Sequence, residues 1–175
     1  MRIAILLFSL WWAGTLLAQD KPAAPQDPCE TFAWNMAREL NLLRAVPIVV
    51  SALVEKNNEA REIPLDRRID LKLPANSEVK LLVKPHHEPA ADSYSGLLLM
   101  KVPRISTYRI STDQRLWMEV IGPEGAVQSS KFTMGASCKA LHKSVAFPLQ
   151  PDTEYWIQLS GSAVPDPVLL ITLDR

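Results

Sequence analysis

Three histidines, His86, His87 and His142, are the side chains of this sequence best suited to binding a transition metal. Neutral imidazole nitrogens suit zinc, copper and iron, so a metal-dependent enzyme using these residues is one hypothesis. His86 and His87 are neighbours between Pro85 and Pro89. Neighbours on an extended chain point to opposite sides, which favours a proline-flanked surface loop over a shared metal site.

Cys29 and Cys138 are the only cysteines of the chain. In an oxidising compartment, two cysteines pair most simply with each other. The resulting loop of about 100 residues corresponds to at most about 4–5 kcal/mol in the chain-entropy model. A redox-active thiol is the alternative, since Cys29 would lie in the first turn of a helix, where a thiolate is favoured. The Cys-x-x-Cys spacing is absent, so we predict a structural disulfide.

Four aromatic residues, Trp34, Trp117, Tyr155 and Trp156, are candidates for a ligand-binding surface, although aromatic side chains also fill protein cores. Tyr155 and Trp156 are adjacent on a predicted strand, so one of them must face away from the core. Glu119 is expected to face solvent on its strand. The sequence carries no Gly-x-Ser-x-Gly, His-Glu-x-x-His or glycine-rich phosphate motif. We therefore predict no catalytic residues and no cofactor.

The chain begins with the pattern of a secretory signal peptide over residues 1–18. Arg2 precedes an apolar run over 3–17, and Ala18 is a small residue at the predicted cleavage site. The run is shorter than the roughly 20 apolar residues that span a membrane. We predict a periplasmic or secreted soluble protein, with a flexible lead-in over residues 19–27.

The charge of the chain is balanced, with 19 Lys and Arg against 19 Asp and Glu. Cleavage after Ala18 would remove only Arg2, which leaves 18 cationic and 19 acidic residues and a net charge of −1. This balance does not favour nucleic acid or an anionic membrane as partner. The expected partner is an unidentified ligand or an envelope protein.

The candidate site residues are expected to lie on short helices and strands, because 14 prolines are spread along the chain and proline interrupts both. A helix is predicted over about 28–45, with Asp27 as its cap, Pro28 at its first position and Phe32 and Met36 in an apolar stripe. Residues 46–54 fit either an extended segment or a continuation of the helix.

From about residue 64 the apolar period changes to two, which indicates strands. Strands are predicted over 68–73, 79–83, 97–102, 108–111, 116–121, 126–132, 145–149, 155–160 and 168–173. Strands this short, separated by turns, predict a mainly β fold: an antiparallel β-sandwich or jelly-roll-like domain with one N-terminal helix, forming a single domain over 28–175.

Several segments resemble a group of small exported proteobacterial proteins of uncharacterised function. They are 27–39, 94–97 with 102–103, 108–111, 117–120, 138–143 with Val145 and Phe147, and 158–162. The most specific are Cys-x-x-Phe-x-Trp from Cys29 and Cys-x-x-x-His-Lys from Cys138. The resemblance covers most of the mature chain and implies that both cysteines and His142 belong to a shared pattern. Some members are labelled homogentisate 1,2-dioxygenase, which implies iron held by two histidines and one carboxylate.

The leading hypothesis is an exported β-sandwich without catalytic activity, acting as a binding or envelope-associated accessory protein. It rests on a strand pattern along the whole chain with no recognisable catalytic set. The alternative is a metal-dependent enzyme, of the kind that the homogentisate 1,2-dioxygenase label describes, using His86, His87 or His142.

Overall fold

The structure, a computed structural model, describes residues 28–174. The predicted signal peptide, the lead-in and the cap Asp27 lie outside these residues. The strands are β1 (Ile48–Ser51), β2 (Ile69–Lys72), β3 (Tyr94–Met100), β4 (Ser106–Thr112), β5 (Trp117–Gly122), β6 (Gly125–Ala126), β7 (Lys131–Met134), β8 (Lys143–Leu149), β9 (Tyr155–Ser162) and β10 (Val168–Leu173).

The strands form two sheets, which confirms the predicted β-sandwich. The large sheet has the order β1-β2-β10-β4-β8-β7, and the small sheet has the order β3-β9-β5-β6. All pairs are antiparallel except β1 with β2. Strand β4 lies inside the large sheet, where it pairs with β10 on one side and with β8 on the other. Side chains of β4 therefore occupy the middle of both faces of this sheet.

The main core lies between the two sheets, as the alternating apolar positions require. The large sheet contributes alternate residues of four strands, and the small sheet those of three. They are Ile69, Leu71, Tyr108, Ile110, Val145, Phe147, Leu149, Leu169 and Ile171 from the former, and Leu98, Met100, Met118, Val120, Tyr155, Ile157 and Leu159 from the latter.

The outer face of the small sheet is covered by the two loops that join β1 to β2 and β2 to β3. Leu97, Leu99 and Trp156 of the sheet form a second apolar cluster with residues of these loops, which include Leu53 and Leu82. The strand predicted over 79–83 is wrong. The backbone N–H groups of Leu82 and Val83 donate to the side-chain Oε1 of Gln158, at 2.7 and 3.2 Å, and so do not enter a strand ladder.

The outer face of the large sheet is covered by residues 28–43, and here the single predicted helix over 28–45 is wrong. The chain forms a 3-10 helix (Pro28–Thr31) and a separate α-helix, α1 (Ala37–Leu42). Between them, the Ala33 N–H donates to the Thr133 hydroxyl of β7 at 2.8 Å. The Asn35 side chain accepts from the Ala37 N–H at 2.7 Å, which gives α1 its own start. Bonds to the sheet and to a side chain thus interrupt the helical ladder.

The strand predicted over 126–132 is also divided, between the two sheets. Gly125 turns the chain at φ +111°, a conformation that favours glycine, and the two-residue β6 pairs with β5. The chain then crosses to the large sheet, where the Ser130 N–H donates to Ala146 O at 2.8 Å and β7 pairs with β8. The ambiguous segment 46–54 contains the extended β1.

The predicted disulfide between Cys29 and Cys138 is present and ties residues 28–43 to the turn between β7 and β8. Next to it, Phe32 packs in a cluster with Met36, Leu141 and Leu170. Its ring lies against Gly135, where an added Cβ atom would overlap the ring. The absence of a side chain at Gly135 therefore permits this part of the chain to lie on the sheet.

We predict that Gly135→Ala destabilises the protein by about 1–3 kcal/mol, the usual range for overpacking a buried site. Phe32→Leu removes the ring atoms that the new methyl group would strike, so the double variant should lose less than the sum of the single losses. Urea unfolding of all four proteins measures this coupling. Strict additivity of the two losses would contradict the contact.

Candidate ligand-binding cleft

A large cleft lies between residues 34–39 and the outer face of the large sheet. Its volume is about 1050 Å³. We call it the Arg109 cleft. Its lining consists of Trp34, Asn35, Ala37, Arg38 and Glu39 from the N-terminal segment, and of Ser106, Thr107, Arg109, Lys131, Leu173 and Asp174 from the sheet.

Arg109 of β4 is the centre of a buried charge network at this cleft. Arg109 is only 8% exposed, and its side chain lies on the face of β4 opposite to the core residues Tyr108 and Ile110. One guanidinium nitrogen, Nη1, donates to Asn35 O at 3.1 Å, and the other, Nη2, pairs with Asp174. Nη1 also lies 3.5 Å from the Glu39 carboxylate. Arg109 thus joins the N-terminal segment to the end of β10.

Glu39 lies on α1 and is buried, with 1% of the residue exposed. Its Oε1 accepts a hydrogen bond of 2.7 Å from the hydroxyl of Thr172 in β10. Its Oε2 is buried without a hydrogen-bond partner in residues 28–174. An ionised carboxylate is costly to bury unless a cation lies close, so Glu39 depends on Arg109 for its place in the fold.

Asp174, immediately after β10, is held by two cations. Arg109 pairs with its Oδ1, and the Lys131 Nζ lies 2.8 Å from its Oδ2. Burial alone would raise the pKa of Asp174, but the hydrogen bonds and charges of Lys131 and Arg109 together outweigh burial, so the pKa lies below its ordinary value. Asp174 therefore stays ionised and has little capacity to act as a base near neutral pH.

Trp34 forms one wall of the Arg109 cleft and contacts two of its cations. The Arg109 guanidinium carbon lies 5.3 Å from the centre of the indole ring, and the Lys131 ammonium lies 5.1 Å from it. Both distances are in the range of cation–π attraction. The predicted binding aromatic Trp34 thus lies at a cleft, together with polar residues that were not predicted as site residues.

Four buried polar atoms of residues that line this cleft have no hydrogen-bond partner within the described chain. They are Trp34 Nε1, Arg38 Nη1, Glu39 Oε2 and Arg109 Nε. Buried polar atoms are nearly always paired in native proteins, and an unpaired one costs about 1–3 kcal/mol. Their concentration around a single cleft therefore needs an explanation.

His86 and His87 lie elsewhere, against the outer face of the small sheet. Their rings are stacked, with centroids 4.9 Å apart, and do not point to opposite sides as the extended-chain argument suggested. Both rings contact Trp117, at 5.6 and 4.8 Å between centroids. The Lys143 ammonium lies 4.9 Å from the centre of the same indole ring. We call these four residues, together with Glu119, the imidazole cluster.

The imidazole cluster is positioned by Gln158, a fully buried residue of β9. The Gln158 Nε2 donates to Val83 O at 2.9 Å and to the Glu119 carboxylate at 3.3 Å. The backbone N–H of His86 also favours the ionised form of Glu119 and so lowers its pKa. Glu119 was predicted to face solvent. It does lie on the outer face of the small sheet, but the histidine loop half-buries it there.

Burial has opposite effects on the two charged members of the imidazole cluster. It raises the pKa of Glu119, although the bond from Gln158 and the charge of Lys143 partly offset the effect. It lowers the pKa of Lys143, and the charge of Glu119 partly offsets that shift. Each group thus supports the charged form of the other.

The structure does not gather the three histidines into one group of metal ligands. Residues 28–174 contain no group of three or more His, Cys, Asp or Glu side chains placed to hold a metal ion. His142 lies at the start of β8, where its backbone N–H donates to Thr112 O and its Nε2 is buried without a partner in the described chain. The arrangement does not fit an iron site of two histidines and one carboxylate.

Tyr155 and Trp156 face opposite sides of β9, as predicted, but neither is an exposed binding residue. Tyr155 packs in the core between the sheets, and its hydroxyl accepts from the Gln150 N–H at 3.0 Å. Trp156 is buried on the other face, beneath the two loops that flank β2.

Comparison with known proteins does not identify the chain. No protein-family model matches the sequence, and no curated protein is significantly similar to it. The resemblance to small exported proteobacterial proteins therefore stays a prediction. No helix within residues 28–174 is long and apolar enough to span a membrane.

We predict that Asp174→Asn lowers the free energy of unfolding at pH 7 by about 1–3 kcal/mol, because it weakens charge-assisted hydrogen bonds from Arg109 and Lys131. A carboxyl group whose pKa is lowered by folding stabilises the protein above its unfolded pKa of about 3.9. That stability is lost as the pH falls through the folded pKa. The difference between variant and wild type should therefore shrink below about pH 4.

The matched control for this prediction is Asp66→Asn. Asp66 pairs with Arg38 at 2.7 Å, but both side chains are more than a third exposed, so the loss should be below about 1 kcal/mol. Urea unfolding at several pH values measures both variants. Equal losses at pH 7, or a difference for Asp174→Asn that persists at low pH, would contradict the buried network.

We also predict that Lys143→Met raises the pKa of Glu119 further, because it removes the nearby ammonium that favours the ionised carboxylate. The chemical shift of the Glu119 carboxyl carbon, followed by NMR across the acidic range, measures this pKa. Lys139→Met, at an exposed position, is the control and should leave it unchanged. An ordinary pKa for Glu119 in the wild-type protein would show that the imidazole cluster does not bury this group.

Proposed function

We propose that this chain is an exported binding protein without catalytic activity, and that its Arg109 cleft takes a small polar ligand. The cleft combines an indole wall, two hydroxyl groups and a fixed charge network on a rigid sheet. A few converging polar groups beside an aromatic surface are typical of small-molecule sites.

The unpaired buried atoms around the cleft are the observation that carries this proposal. Trp34 Nε1, Glu39 Oε2 and Arg109 Nε belong to residues from three different parts of the chain, all of which line this cleft. A ligand that settles in the cleft pairs with such atoms after small side-chain rotations. The hydrogen bonds it forms offset a cost that the protein otherwise carries.

The state of the two carboxylates supports binding over catalysis. Glu39 is committed to Thr172 and Arg109, and Asp174 to Arg109 and Lys131. A general base or acid works best with a pKa near the working pH, whereas the pKa of Asp174 is lowered. These carboxylates hold the cleft together and are poorly suited to moving protons.

Export is the second part of the proposal. The signal-like residues 1–18 direct the chain out of the cytosol, and the Cys29–Cys138 bond is consistent with an oxidising compartment. The disulfide fastens the segment that forms one wall of the cleft. The function therefore depends on the compartment in which the chain works.

We expect hits from a library of polar fragments to concentrate on the Arg109 cleft. The protein is exported by a bacterial host and isolated untagged, and its intact mass should show that it begins at Gln19 and contains one disulfide. Amide chemical shifts then locate each hit, which should perturb Ser106, Thr107 and Lys131.

Ser106→Trp should fill the cleft and abolish these perturbations, whereas Ser77→Trp, at an exposed position on the other side of the sandwich, should leave them intact. Hits that concentrate elsewhere, or no hits at all, would overturn the binding proposal. Retention of residues 1–18 in the product would overturn its export part alone.

A further inference from the structure

We infer that the ligand of the Arg109 cleft is a small organic anion that presents a carboxylate or phosphate group to Lys131 and Arg38. This inference rests on the proposed binding function and adds the chemical class of the ligand. Three observations support it: the accessibility of the charges, the excess of donors, and the size of the cleft.

The accessible charge of the cleft is positive, although its formal charges nearly cancel. The two carboxylate side chains are withdrawn, with 1% of Glu39 and 16% of Asp174 exposed. The Lys131 side chain is 47% exposed. That of Arg38 is 34% exposed and pairs at 2.7 Å with Asp66, which does not line the cleft. A ligand that enters the cleft therefore meets ammonium and guanidinium groups, while protein cations already neutralise the carboxylates beneath them.

Unused donors outnumber unused acceptors at this site. The buried atoms without partners include three donors, Trp34 Nε1, Arg38 Nη1 and Arg109 Nε, and one acceptor, Glu39 Oε2. The Lys131 ammonium carries three N–H bonds, of which the pair with Asp174 needs one. Carboxylates and phosphates offer only acceptor oxygens, and their hydrogen bonds to cations are among the strongest in proteins.

The ligand must also have an organic part. A volume of about 1050 Å³ matches the upper range of small-molecule sites, and an inorganic ion would leave most of it empty. Trp34 and Leu173 provide apolar surface in the same cleft as the exposed cations. A carbon skeleton placed against these residues would bring its oxyanion group within reach of Lys131.

The test compares charged probes with neutral counterparts of the same skeleton. The pairs are benzoate with benzyl alcohol, galacturonate with galactose, and glucose 6-phosphate with glucose, and inorganic phosphate is added alone. Each is titrated into the ¹⁵N-labelled exported protein, and binding is read from the indole N–H signal of Trp34, which is assigned by its loss in Trp34→Phe. Carboxylate and phosphate probes separate the two sources of an oxyanion.

We expect at least one charged probe to shift the Trp34 signal saturably, with an affinity at least tenfold above that of its neutral counterpart and above that of inorganic phosphate. This affinity should fall as ionic strength rises. Lys131→Met should weaken binding about tenfold. Lys101→Met, which removes an exposed lysine paired with Glu62, should not change it. A dispersed spectrum verifies that each variant is folded.

Equal binding of charged and neutral probes would overturn the oxyanion inference but leave the binding function standing. An unchanged affinity in Lys131→Met would likewise overturn the inference. If no charged probe shifts the Trp34 signal at millimolar concentration, the inference fails, while the fragment screen decides separately whether the cleft binds ligands at all.

Discussion

The ion pairs of Arg109 are the interaction on which the rest of the structure depends. A guanidinium on the outer face of β4 meets a carboxylate from α1 and another from the end of β10. Removing one partner from a buried pair leaves an uncompensated charge, which typically costs about 3–5 kcal/mol. The N-terminal segment, β4 and the end of β10 are therefore coupled. This coupling acts together with the disulfide and the Phe32 cluster to hold the segment over the sheet, where it forms the cleft.

Much of the β-sandwich could be predicted from the period of apolar residues. Successive side chains of a strand point to opposite faces, so a strand with one face in the core has apolar residues at every second position. The predictions fail where a backbone bonds to a distant side chain. Residues 79–83 alternate like a strand, yet the N–H groups of Leu82 and Val83 donate to the side chain of Gln158. Residues 28–45 have apolar residues at helical spacing, yet the N–H of Ala33 donates to the hydroxyl of Thr133 in place of a helical carbonyl. No sequence pattern announces such long-range bonds.

Only part of the candidate site could be predicted from the sequence. Trp34 was a candidate, and the alternation of β4 places Arg109 opposite its core residues. The alternation does not show that the N-terminal segment covers this outer face. Because the segment covers it, Arg109 is buried, and so is Glu39 on α1. The arrangement of His86 and His87 was also not predictable from their adjacency. Their loop lies against Glu119 and Gln158, and in it the two rings stack, whereas an extended chain would point them to opposite sides.

A double-mutant cycle between Glu39 and Arg109 tests most directly whether this pair holds the cleft together. Glu39→Gln, Arg109→Lys and their combination are unfolded in urea alongside the wild type, since lysine keeps the charge but lacks the guanidinium fork. Residues in one buried network couple by about 0.5–3 kcal/mol. We expect a coupling free energy of at least about 1 kcal/mol, whereas losses that add within about 0.3 kcal/mol would show that the two residues are not coupled.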